Sequence, residues 1–316
     1  MDAPVPERSA PAAPAGPGRP RSSPLGFASA VLLVHVLGGG PAQAVSPAAG
    51  LAWSQLFAFL LPAAAAASGA NLDPRRFLLL ARRPTAGQVG LGILLGLASF
   101  TAAAPTVALW SAVLPPGWVS FFDLGPLFRG PPAERAVLVA LTSLLAPVCE
   151  ELAFRGYLLS ALRIRLGTGA ALAAGTLLFA AMHLDPVRLP ALLVQGAAFG
   201  WLAIRSGSIW PAVAGHAANN LAAALLAAAA PAEAPEAPQG TLPALAMLAL
   251  GIAALAAVGG AWRRATPSPP PASEDVAPRD PSAPFTRFSL DRLPARYLLA
   301  AILGLAWLGA LAAWRR

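Results

Sequence analysis

Two carboxylates and a guanidinium interrupt an otherwise apolar run: Glu150, Glu151 and Arg155 lie within residues 136–162. A charged side chain at mid-bilayer depth costs about 2.5–3.5 kcal/mol, so three together need a compensating role. Glu151 and Arg155 stand at i and i+4, on one helical face, and can neutralise each other. Glu150 points about 100° away and gains no such partner from its own helix. A carboxylate left over in an apolar helix is a functional candidate by default. The bland alternative is a helix end at the membrane surface, with all three charges solvated.

Three histidines occur in the chain. His35 lies in an apolar run without polar company and reads as incidental. His183 follows Phe179 by one turn, and His216 precedes Asn220 by one turn, with Asn219 on a neighbouring face. Alone, each reads as a hydrogen-bonded helix residue. Depth joins them. At the rise of an α-helix, Glu150 lies about 22 Å above Arg165 if its helix runs unbroken, and His183 about 24 Å above Gly167. His216 and Asn220 lie about 12–18 Å above Ser208. A helix that stopped at Arg155 would put Glu150 and His183 on opposite sides of a bilayer, so the helix is expected to continue through Arg155. Four polar groups from three helices then fall into one slab well inside the bilayer.

The composition demands such a membrane setting. Hydrophobic residues make up 57% of the 316 and charged residues only 11%, against about a quarter charged in soluble domains. All 22 cationic residues are arginine, and the formal charge is +8. They cluster at the ends of apolar runs, the pattern of positive-inside topology and not of a nucleic-acid surface. The single cysteine, Cys149, excludes an internal disulfide framework and a cysteine-based zinc site. It reads as a small buried thiol.

Hydropathy predicts an all-α polytopic helical membrane protein with about eight spans. Residues 1–24 form a disordered Pro/Ala/Ser/Arg tail. Residues 25–133 hold three spans, near 25–45, 51–67 and 88–114, and an aromatic interfacial loop carrying Trp118, Phe121, Phe122 and Phe128. The first run resembles a signal peptide, with Arg19 and Arg21 before it and Ala42-Gln43-Ala44 at its end; the alternative is a retained first span. Residues 134–230 supply four spans that carry the acidic and histidine motifs. An eighth span follows in 231–264, then a Pro-rich linker over 265–294 and a C-terminal apolar helix over 295–316. Arg75, Arg76, Arg82 and Arg83, with Arg165 and Arg263, predict cytoplasmic loops, whereas Glu233 and Glu236 predict the opposite face.

As a set, Glu-Glu-x-x-x-Arg at 150–155, Phe-x-x-x-His at 179–183 and His-x-x-x-Asn at 216–220 resemble the three motifs of the CPBP intramembrane protease family. That family includes type II CAAX prenyl endopeptidases and the bacterial Abi and lysostaphin-resistance proteins. The motifs occur in order, without departure in the motif residues. The resemblance implies a helical fold around an intramembrane cavity. It implies that Glu150 and His183 activate a water while His216 and Asn220 hold the oxyanion, with Glu151 and Arg155 supporting. The implied substrate is a membrane-associated peptide or protein, for some relatives a prenylated C-terminus. The expected setting is a bacterial cytoplasmic membrane, with the lipid bilayer as the other partner and no nucleic acid.

Three alternatives stay open at this level. No cofactor is required for this chemistry, but Glu150, His183 and His216 could present a carboxylate and two imidazoles to zinc. A non-proteolytic scaffold or bacteriocin-immunity-type protein could retain the site residues as relics. A proton-coupled transporter could use the same residues, but it would be expected to show inverted repeats or broken helices, which are not evident.

Overall fold

The computed structural model describes residues 22–67, 72–128, 130–229 and 241–266. The expected N-terminal tail, the linker, the last apolar helix and the loop bearing Glu233 and Glu236 lie outside these residues. The described residues are helical, with no strand element. Among the described residues, seven helices are long and apolar enough to cross a membrane. They are α1 (Pro24–Val45), α2 (Pro47–Ala67), α3 (Ala86–Ser111), α4 (Pro132–Leu166), α6 (Leu189–Ser206), α7 (Trp210–Ala229) and α8 (Thr241–Ala265). Between α4 and α6 lies α5 (Thr168–Met182), apolar but only 15 residues long. It rises about 22 Å, short of the roughly 30 Å hydrocarbon core.

The helix ends follow from local chemistry. Thr85 and Gln88 form a reciprocal capping box that starts α3. Gly167, at φ +74°, ends α4, and Gly207, at φ +63°, ends α6. α4 is one continuous helical path through Arg155. The aromatic loop forms a short helix, Pro116–Phe121, and a 3₁₀ turn, Gly125–Phe128. Phe121 is 81% exposed while Phe128 is buried.

Four stretches widen into π-helical turns: His35–Gly39 in α1, Ser54–Leu60 in α2, and Leu141–Leu145 and Leu152–Leu158 in α4. Three of them end two residues before a proline: Pro41, Pro62 and Pro147. Proline has no N–H to donate, and its ring clashes with the carbonyl four residues back; one extra residue in the turn relieves both problems. Polar or functional side chains occur in or beside each widened turn.

α1 belongs to the bundle core. Phe27, Ala28 and Val31 are buried, Phe27 and Tyr157 have ring centroids 4.2 Å apart, and Tyr157 Oη donates to the Ser22 carbonyl at 3.0 Å. α2 runs parallel to α4 with matched rungs one turn apart. Gln55 meets Glu150, and Phe59 meets Phe154 at 5.7 Å between ring centroids. α3 packs against α6, α7 and α8. Its Gly92 and Gly96 face Pro211 and Gly215 of α7 so closely that a Cβ on Gly96 would lie 1.9 Å from the Gly215 carbonyl oxygen. This small-xxx-small contact lets two backbones touch where lipid offers no hydrophobic drive. It also sets the depth and rotation of His216, the residue after Gly215.

Candidate active site

The acidic motif of α4, the end of α5 and the middle of α7 converge. Glu150 Oε2 lies 4.0 Å from His183 Nε2 and 3.9 Å from His216 Nε2. Residues 33 and 66 positions apart in sequence thus face one carboxylate oxygen. The side chain of His183 is 29% exposed, whereas that of His216 is 4% exposed, so access is from the His183 side.

Each imidazole is oriented by its other nitrogen. His183 Nδ1 lies 2.9 Å from the Phe179 carbonyl oxygen. A carbonyl only accepts, so Nδ1 carries a proton there, and Nε2 is turned toward Glu150. His216 Nδ1 lies 2.8 Å from Glu151 Oε1. The carboxylate accepts there too, so Nδ1 carries the proton and Nε2 is turned toward Glu150. Phe199 stacks on the His216 ring, with centroids 5.1 Å apart and planes at 19°. Phe179 sits edge-on to His183, at 4.8 Å.

Glu151 and Arg155 stand one turn apart, as their spacing predicts, with Arg155 Nη1 donating to Glu151 Oε1 at 2.9 Å. Both are buried, at 0% and 3% exposure. Arg155 Nη2 donates to the Gly196 carbonyl at 3.2 Å, and its guanidinium lies 4.2 Å from the Phe179 ring centroid. A buried guanidinium is thus satisfied by a carboxylate, a carbonyl and an aromatic face. Glu151 does more than neutralise Arg155, because the same oxygen orients His216.

Asn220 has a backbone partner that the sequence did not reveal. In the widened turn of α4 the Ala146 N–H reaches back to the Leu141 carbonyl. The next donor, at position 147, is proline and has no N–H. The Thr142 carbonyl is therefore free of the ladder, and Asn220 Nδ2 donates to it at 3.0 Å. Asn219 Nδ2 donates to Asn220 Oδ1 at 3.0 Å, and Gln195 Nε2 donates to Asn219 Oδ1 at 3.2 Å. This chain fixes the Asn220 amide and leaves one of its N–H hydrogens for another acceptor.

The loop after His183 is held firmly. Leu184 adopts φ +51°, unusual for a branched residue. Asp185 accepts from the Val187 and Arg188 amides and pairs with the Arg188 guanidinium. Trp110 Nε1 donates to the Pro186 carbonyl at 2.8 Å.

Three residues near the site escaped the sequence reading. Gln55 Nε2 donates to Glu150 Oε1 at 2.8 Å. Phe199 stacks on His216. His35, read as incidental, packs on Phe59 with centroids 5.6 Å apart and lies within electrostatic reach of Glu150 and His183. For Gln55 and His35 the available signal was the one used for Glu150, a polar side chain inside an apolar run; Phe199 carried none.

The site does not match a zinc centre as it stands. Two ligand atoms about 2.1 Å from one tetrahedral zinc are about 3.4 Å apart, closer than the 3.9 and 4.0 Å separations here. Among the described residues no group of three or more His, Cys, Asp or Glu side chains is arranged to hold a metal.

Residues 132–222 match the family model described as Type II CAAX prenyl endopeptidase Rce1-like. The matched segment holds all three motifs and supports the resemblance to CPBP-family proteases. No curated protein and no solved structure matches the chain. Seven apolar spanning-length helices together with a membrane-protease family segment describe an integral membrane protein.

Proposed function

We propose that the protein is an intramembrane endopeptidase that hydrolyses a peptide bond of a membrane-associated substrate with a water activated by Glu150 and His183. One observation carries the reading: Glu150 Oε2 lies 3.9–4.0 Å from both imidazole Nε2 atoms. That gap is too long for a direct hydrogen bond and suits one bridging water, which at about 2.8 Å from both atoms would subtend about 90°.

The groups then divide the work. Glu150 Oε2 takes one water proton while the His183 Nε2 lone pair accepts the other O–H. The water oxygen bonds to the scissile carbonyl carbon, and that carbonyl becomes an oxyanion. The scheme requires His216, held at Nδ1 by Glu151, to donate from Nε2 to the oxyanion, and Asn220 offers its second amide hydrogen. Collapse breaks the C–N bond, and the proton on Glu150 passes to the leaving amine. The carboxylate is regenerated and the atoms balance. The scheme requires no cofactor.

The family description of the matched segment supports, as the substrate to test first, a peptide with a prenylated C-terminus at the membrane surface. The test is cleavage of a farnesylated, internally quenched C-terminal peptide by purified protein in detergent or proteoliposomes. Wild type should cleave it. Glu150→Gln should be inactive with near-unchanged thermal stability, because the amide keeps the size and hydrogen-bonding reach of the carboxylate. Activity should survive strong chelation. Loss on chelation with recovery on added zinc would make Glu150, His183 and His216 ligands. Full activity in Glu150→Gln would sink the hydrolytic reading and leave a scaffold or immunity role.

A further inference from the structure

We propose that Gln55, on α2 and outside the segment that matches the protease family, is a positioning residue for Glu150. This rests on the hydrolytic reading and extends its machinery to the N-terminal helices. Gln55 is 3% exposed, and its Nε2 lies 2.8 Å from Glu150 Oε1. The two His Nε2 atoms face the other oxygen, Oε2. One oxygen of Glu150 is thus pinned by a neutral donor, and the other is turned to the reaction centre. A carboxylate free to rotate about its last bond would divide its time between both orientations. With Oε1 held by the Gln55 N–H, Oε2 is the oxygen left to accept a proton from water.

The helices are built to place this amide. Gln55 lies in the widened turn Ser54–Leu60, which precedes Pro62, and the Leu61 N–H reaches back five residues to the Leu56 carbonyl. Phe59, one turn on, packs against Phe154, one turn beyond Glu150, so two rungs fix the register of α2 on α4. On the other side α1 closes against α2 at Gly39, where a Cβ would lie 2.2 Å from Ser54 Oγ and 3.5 Å from His35 Nδ1. His35 Nδ1, Ser54 Oγ and Gln55 Oε1 are all buried without a hydrogen-bond partner. A hydrophobic helix pair has no packing reason to carry three such groups, each of which costs free energy when unpaired. Gln55 bonds the Glu150 carboxylate and His35 lies within its electrostatic reach, a placement that fits a site face and not a lipid face.

Gln55→Met keeps the length of the side chain and removes the N–H donor. In the farnesylated-peptide assay it should lower kcat about 10- to 100-fold, the scale of a misplaced catalytic group, with KM within about twofold of wild type. Its thermal destabilisation should largely vanish in a Glu150→Leu background, where no acceptor remains. The exchanged pair, Gln55→Glu with Glu150→Gln, should restore the thermal stability lost in Gln55→Glu alone and stay inactive. Unchanged kcat in Gln55→Met, or equal destabilisation in both backgrounds, would overturn the proposal. A wild type that leaves the peptide intact would count against the hydrolytic reading, and the stability cycle would then judge the Gln55–Glu150 pairing by itself.

Discussion

Glu151 Oε1 accepts from His216 Nδ1 at 2.8 Å, so a residue from α4 orients an imidazole on α7. The same oxygen takes Arg155 Nη1 at 2.9 Å. A carboxylate that spacing alone would assign to neutralising its helix neighbour also sets the tautomer and direction of the proposed oxyanion donor.

Arg155→Ala should therefore damage folding as well as activity, because it strands a fully buried carboxylate at a cost of about 3–5 kcal/mol. Glu151→Gln with Arg155→Met should recover part of the stability and expression. It should not recover peptide cleavage, since His216 would lose the carboxylate that orients its ring through Nδ1. Thermal unfolding in detergent, run beside the peptide assay, separates the two effects. Equal stability of the double and single variants would show that the pair is not coupled.

Asn220→Ala should lower both activity and stability. Loss of one oxyanion donor typically costs about 10²–10³ in rate, and the Thr142 carbonyl loses a hydrogen bond worth about 1 kcal/mol. Asn220→Asp tests the donor directly, because an ionised carboxylate offers no N–H to either acceptor. Wild-type rates in Asn220→Asp would remove Asn220 from the mechanism.

Gly96→Leu should force α3 away from α7 and displace His216. Overpacking of this kind typically costs about 1–3 kcal/mol, and cleavage should fall with it. Gly90→Ala, on the same helix with nothing within 4 Å of the added Cβ, should be neutral or stabilising by up to about 1 kcal/mol. Similar losses in both variants would point to a general intolerance of α3, not to the α3–α7 contact.

Topology can be read by cysteine labelling in a Cys149→Ala background. Cysteines introduced at Arg83 and Arg263 should label from the cytoplasmic side, and one at Glu236 from the opposite side, following the arginine bias of the loops. Labelling of the first two from outside would invert the orientation of the site.

The sequence by itself determined the helical class, the places of the seven spanning-length helices among the described residues and the Glu151–Arg155 pairing, but took the 15-residue α5 for a full span. Each depends on hydropathy or on the 3.6-residue period, which act within one helix. The continuity of α4 through Arg155 was also legible, because only an unbroken helix puts Glu150 and His183 at one depth. The motif residues announced themselves as polar groups in apolar runs, and Gln55 in α2 carried the same signal unread. Tertiary structure alone decided which groups meet. Gln55 reaches Glu150 across 95 positions, His216 reaches Glu151 across 65, and Asn220 reaches the Thr142 carbonyl across 78. Those meetings depend on where helices touch and how far each is rotated. Gly96 sets the approach of α7, the Phe59–Phe154 rung sets the register of α2, and widened turns before Pro62 and Pro147 change the faces that result. Periodicity places a side chain on its own helix. Which neighbour it faces is set by backbone contacts that hydropathy does not encode.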